Sequence, residues 1–298
     1  MKTAVLAGSL VAAATLGSAC VVSVDSQGQI VREEKHYTVK GVPDLRLTTF
    51  DGAIEIQAWD KPDVTIEIEK RGATREAVDS LEIKSSQQGN RIELEVKRPR
   101  SESFSGFGFH HSASARLIVS APREVNVIAR SGDGSIRIER LNGRLELRIG
   151  DGSIKASDVE GELILNTGDG SVTVDGARGT MDLDTGDGGV NVTGRLTAVK
   201  LHTGDGSIVY RAEPGSEMSD NWDITTGDGG VTLYLPNGFG AELDAHTGDG
   251  AIRNDLDVVG GPEEEGGHNR RTLKGRLAGG GKQIRIRTGD GTIRLRPS

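Results

Sequence analysis

The triplet Gly-Asp-Gly recurs eight times in this 298-residue chain, centred on Asp133, Asp151, Asp169, Asp187, Asp205, Asp228, Asp249 and Asp290. The intervals between copies are 18, 18, 18, 18, 23, 21 and 41 residues. Four equal intervals do not come from composition bias. A fixed period near 20 marks a solenoid or an array of stacked units. The flanks repeat as well, as in SGDGSIRI, TGDGSVTV, TGDGGVNV and TGDGSIVY.

Each period holds two alternating runs. After the triplet come pairs such as Ile136 and Ile138, or Val172 and Val174. A polar link with glycine follows, then a second run: Leu145 and Leu147, Leu163 and Leu165, Met181 and Leu183, Val199 and Leu201, Trp222 and Ile224. Strand side chains alternate faces, so these residues share an inward side. Two strands per period fit a hairpin array or a flattened parallel β-solenoid, and the regular spacing favours the solenoid. An 18-residue coil is then one turn of two strands and two corners, with like residues stacked about 4.8 Å apart. Longer intervals become corner loops around Glu213–Ser216 and Pro236–Gly238. The longest becomes an exposed loop, or a degenerate coil plus loop, near 255–282. The expected organisation is a signal over 1–19, a linker over 20–44, an irregular β region over 45–125 that begins the solenoid, and the regular solenoid over 126–298. Arg98 to Ser114 reads as a Gly/Ser/aromatic loop.

Composition supports a thin-cored β protein. Glycine numbers 43, aromatic residues make 3% and hydrophobic residues 35%, too little to fill the thick core of a compact enzyme. Alternating Val, Ile and Leu argue against disorder. The formal charge of −8 argues against nucleic acid as a partner, since phosphate binding needs a positive field.

The first twenty residues read as an export signal. Lys2 precedes the apolar run Ala4 to Leu16, which is too short to span a bilayer and is followed by small residues and Cys20, the single cysteine. The arrangement resembles a bacterial lipoprotein signal, in which such a cysteine carries the lipid, although Leu16 sits four residues before Cys20 rather than three. Ordinary cleavage after Ala19 is the alternative. Either route exports the chain, and Val21 after Cys20 favours, by resemblance, the outer membrane or cell surface.

LRLTTFDGAIEIQAWD (Leu45 to Asp60), LIVSAPREVNVIARSGDGSIRIE (Leu117 to Glu139) and the serial TGDGS copies resemble a bacterial β-strand-repeat family. It is a domain of unknown function described as adhesin-like. The likeness runs over residues 40 to 298 and implies an envelope role without supplying catalytic residues.

The repeated aspartates suit sharp corners, because glycine tolerates positive φ and Asp bonds nearby backbone. The Thr before the triplet (Thr167, Thr185, Thr203, Thr226, Thr247, Thr288) shares inward parity and is expected to form a hydroxyl ladder. Stacked carboxylates repel by roughly 1 kcal/mol per neighbouring pair, which calcium could relieve; that would make the fold a calcium-stabilised β-roll. A polysaccharide-active β-helix enzyme is the other alternative, but eight equivalent corners describe a scaffold rather than a distinct active site. His202 and His246 fall in one outward column with Thr225 between them. Lys282, Arg285, Arg287, Arg294 and Arg296 place positive charge on the last coil, as an end cap or a contact for anionic polymer or lipid. The expectation is a non-enzymatic envelope or surface module. It binds a protein or polysaccharide and meets the membrane through its lipid.

Overall fold

The computed structural model describes residues 19–25, 28–98, 113–260 and 271–298. The signal over 1–19 therefore lies outside the described residues except for Ala19, as do most of the 98–114 loop and residues 261–270. Across the described residues the chain is all-β, one continuous sheet with a single short helix, Arg75–Asp79.

The repeats stack in parallel, one period per step. Leu165 pairs with Leu147 on one side and Leu183 on the other; Leu183 pairs with Leu201, and Leu201 with Ile224. Beyond the triplet a second ladder runs through Ile136, Ile154, Val172, Val190, Ile208 and Val231. Inward residues lie two apart on each side of the triplet but change parity across it. The triplet is thus a corner between a front face and a back face. Both faces bury their side chains in one core, where Leu165, Leu183, Val172 and Ile208 are fully covered.

Close stacking explains the glycines. A Cβ on Gly170 would lie 1.3 Å from the carbonyl oxygen of Gly152, and one on Gly188 would lie 1.7 Å from that of Gly170. No side chain fits there. The preceding Thr completes the corner. Thr185 Oγ1 lies 3.2 Å from Gly168 O and 3.1 Å from Gly170 O, and Thr203 Oγ1 lies 3.0 Å from both Gly186 O and Gly188 O. These hydroxyls are buried yet partnered, as buried polar groups must be. The inward hydroxyl ladder read from sequence is present.

At both ends, stack order departs from chain order. Ile224 pairs with Ile286, and Ile286 with Ala245. On the back face Val231 pairs with Ile293, and Ile293 with Ile252. The last coil of the chain therefore lies between two earlier ones. Corner contacts agree: Thr288 Oγ1 is 2.7 Å from Gly229 O, and Thr247 Oγ1 is 2.8 Å from Gly291 O. The other end mirrors this. Leu47 sits between Leu94 and Ala129, so the first coil lies inside the stack, covered by the strands Arg91–Lys97 and Ser114–Pro122.

Antiparallel strands cover the ends. Thr272–Leu277 folds back on Ala241–Thr247 and also pairs with Val258–Val259. The 41-residue interval is thus a full coil plus a covering strand, where the sequence suggested a loop or a degenerate coil. Glu82–Gln88 covers Arg91–Lys97, and Val64–Gly72 covers Ser114–Pro122. Covering strands satisfy the backbone groups that a bare edge would expose.

The expected linker over 20–44 is corrected. Ala19–Asp25 and Gly28–Tyr37 are strands, the second pairing with Val64–Gly72. The run Arg32-Glu33-Glu34-Lys35 looks like linker composition, but Val31 and Tyr37 are buried. Its charges find partners too: Lys70 Nζ lies 2.8 Å from Glu33, and Arg32 Nη2 lies 2.8 Å from Glu69.

Candidate functional surface

The eight corner aspartates and Asp51 form one outer column. Asp51 pairs in register with Asp133, and Asp133 with Asp151. At the corners of Gly168, Gly186, Gly204, Gly227 and Gly289 the first glycine amide donates to the matching glycine carbonyl of the coil before it in the stack, as Gly186 N does to Gly168 O at 2.6 Å and Gly289 N to Gly227 O at 2.5 Å. At the last corner Asp249 N donates to Gly289 O at 2.7 Å. In stack order the column ends on Asp205, Asp228, Asp290 and Asp249. All eight repeat aspartates are exposed. The column is bounded by arginines: Arg98 Nη2 lies 2.7 Å from Asp51, and Arg271 Nη2 lies 2.8 Å from Asp249. The aspartates between them make no ion pair among the described residues. Nor do those residues contain three or more His, Cys, Asp or Glu side chains grouped to hold a metal ion.

The front face carries alternating charges that pair from coil to coil. Glu146 accepts from Arg130 at 3.2 Å and from Arg148 at 3.0 Å. Lys200 lies 3.4 Å from Asp182, and Arg144 pairs with Glu162. Asp244 is held by Arg287 at 2.7 Å, with Lys274 at 3.7 Å. Burial alone would raise the pKa of Asp244; the Arg287 hydrogen bond and the nearby cations outweigh it and hold the carboxyl below its ordinary value. An open depression of about 400 Å³ on this face is lined by Arg148, Asn166, Asp182, Lys200 and His202 among others. His202 and His246 do share a column, but both Thr225 and Arg287 lie between them, one coil more than the sequence placed there.

The C-terminal basic cluster is divided, and it is not at the end of the stack. Arg285 and Arg287 belong to the front strand Gln283–Thr288, and Arg294 and Arg296 to the back strand Ile293–Pro297. Ile284, Ile286, Ile293 and Leu295 are fully buried between them. Lys282 lies just before the front strand and is exposed. The corner at Asp290 separates residues that are close in sequence.

Other residues join the back-face pair instead. Arg294 pairs in register with Arg253, and Arg296 with Tyr234, whose other neighbour is Arg211. The Arg211 guanidinium stacks 3.8 Å over the Tyr234 ring. Arg253 and Arg294 each stand four residues after a triplet Asp. Aligning the octets by that offset is the signal that would have found Arg253. Cys20 lies in the strand Ala19–Asp25.

The model of the Toastrack DUF4097 family matches residues 43–296. Solved structures that match the chain include a candidate lipid-binding protein from Parabacteroides distasonis, 12% identical, covering 89% of this chain and 96% of its own, with a TM-score of 0.48. A candidate adhesin from Bacteroides fragilis is 12% identical over 90% of this chain and 97% of its own, with a TM-score of 0.36. A candidate cell adhesion protein from Clostridium sporogenes is 16% identical over 90% of this chain and 99% of its own, with a TM-score of 0.30. No curated protein matches the chain.

Proposed function

The chain belongs to the Toastrack DUF4097 family, and from that premise we propose that it is an exported, non-enzymatic binding module of the bacterial envelope. In this reading it is a parallel β-solenoid of 18-residue coils with two strands each. Lipid on Cys20 holds it to the membrane, and its faces meet a surface macromolecule. One observation carries the reading: apart from the exposed corner aspartates, the repeated residues are used in stacking. The glycines permit contact between coils, the threonines bond across them and the leucines fill the core. Repetition therefore builds the scaffold, and the outward positions that vary from coil to coil are left to recognise a partner. Among the described residues no helix is long and apolar enough to cross a membrane.

The test is retention of the purified mature chain on isolated bacterial envelopes. Saturable retention is expected, and its absence would overturn the reading. In cells, Cys20→Ala is expected to move the protein from the membrane fraction to the soluble fraction.

A further inference from the structure

One outward column of the back face contains no carboxylate through eight successive coils, in a chain whose formal charge is −8. In stack order it reads Arg137, Lys155, Thr173, Asn191, Val209, Thr232, Arg294, Arg253. The front face pairs most of its cations, Arg130, Arg144, Arg148, Lys200 and Arg287 among them, though not Arg285. Among the described residues, Arg137, Lys155, Arg253 and Arg294 have no carboxylate within ion-pair distance, and neither does the neighbouring Arg211. Arg296 reaches Asp255 only at 3.8 Å.

The cations gather at the two ends of the stripe. Arg137 and Lys155 mark one end. Arg294 and Arg253, with Arg211 and Arg296 beside them, mark the other. Lys155 and Arg294 are five coil steps apart, about 24 Å at about 4.8 Å per step. Between them lie the hydroxyl and amide groups of Thr173, Asn191 and Thr232, with Ser171 and Ser207 along the corner side. The exposed large hydrophobic residues of the described chain, Val42 and Val259, both lie off the stripe.

We infer that the back-face stripe binds an extended anionic polysaccharide lying along the stack axis, a deepening that rests on the binding-module reading above. Within the column, positive charge at both ends with no carboxylate between them complements a polyanion, while the exposed corner aspartates on one side and Asp175 in the next outward column flank the stripe. Hydroxyl and amide side chains between the ends can hydrogen-bond sugar hydroxyls. A small anion would meet only one end, whereas a chain longer than about 24 Å meets both and gains the affinity of a linked second contact. A membrane surface fits less well, because interfacial docking calls for a broad apolar or aromatic face, and beside these cations stand only the half-buried Val209 and Tyr234. The stacked Arg211 is a pre-oriented planar donor for a carboxylate or sulfate.

The test uses oligogalacturonates of graded length, titrated against the mature chain by calorimetry. Neutral dextran and vesicles of phosphatidylglycerol serve as the other ligands. Affinity is expected to rise at least tenfold as the oligomer passes about 24 Å. Lys155→Gln with Arg294→Gln should abolish that rise while the thermal melt stays unchanged. Arg144→Gln on the front face should leave it intact. Binding to vesicles but not to oligogalacturonate would overturn the inference in favour of a membrane. An equal loss from Arg144→Gln would overturn it as unspecific attraction. A chain that is retained on whole envelopes but binds no oligogalacturonate loses this inference alone; failure on both would remove the parent reading too.

Discussion

The middle of the stack and its two ends are built from the same repeat but obey different rules. In the middle, chain order is stack order: Leu147, Leu165, Leu183 and Leu201 are successive both in sequence and in space. At the ends the first and last coils are drawn inside and covered by their neighbours, and antiparallel strands close over them. A middle coil finds both partners automatically. An end coil has one partner at most, and the unpaired edge must be managed. Whichever coil ends the array has a parallel partner on one side only; at the C-terminal end Thr272–Leu277 closes the free edge of Ala241–Thr247, while Ile252–Asn254 pairs with Ile293–Pro297 alone.

The largest effect should come from breaking this arrangement. Deleting residues 283–298 would trim one layer from a stack in chain order. Here it removes the parallel partner of both 222–235 and 242–254. Limited proteolysis is expected to open the chain from about 236 onward while the 142–212 region stays protected. Gly188→Val should come next, because its side chain would enter the Gly170 carbonyl. A loss above about 4 kcal/mol is expected from such an overlap, seen as a collapse of the cooperative melt.

Leu183→Ala should cost about 2–5 kcal/mol in denaturant unfolding, as a cavity shared by two coils. Thr203→Val should cost about 1 kcal/mol by removing a buried hydrogen bond. Asp187→Ala, on the exposed corner, should stay within about 0.5 kcal/mol.

Acid should separate the ends from the middle. Burial alone would raise the pKa of Glu69, in the strand over the first end, but hydrogen bonds from Arg32 and Arg71 hold it below its ordinary value. Asp244, at the other end, is held low in the same sense. A carboxylate with a lowered folded pKa contributes its full stability above the unfolded value, near 4, and loses it as pH falls through the folded one. Hydrogen exchange at pH 6 and pH 3 is expected to show protection lost first in Val64–Gly72 and Ala241–Thr247, with the 142–212 region following.

The middle was legible because spacing and register coincide there. Eighteen residues separate Leu165 from Leu183 in sequence, and one coil separates them in space. The glycines and threonines were legible too, since their types fit only a crowded corner and an inward hydroxyl. The ends were not. Nothing in the 41-residue interval says that residues after Asp290 return beneath those near Asp249, because that choice is made by edge burial and not by local pattern. The basic cluster was misplaced for the same reason: five residues near the C-terminus look like one patch until the Asp290 corner turns Arg294 and Arg296 to the opposite face. The carboxylate-free column was written in the octets all along, at the fourth residue after each triplet Asp. It becomes a surface only once the coils are put in order.

That order is what brings Arg294 beside Arg253, and disulfide trapping tests it most directly. Neighbouring coils place Cα atoms about 4.8 Å apart, within disulfide reach, whereas coils two steps apart exceed the limit of about 7 Å. With Cys20 replaced by Ser, the double variant Thr232→Cys/Arg294→Cys should oxidise to an intramolecular crosslink, and Thr232→Cys/Arg253→Cys should remain reduced. A crosslink in the second variant and none in the first would mean the coils follow chain order, and the account of both ends would be wrong.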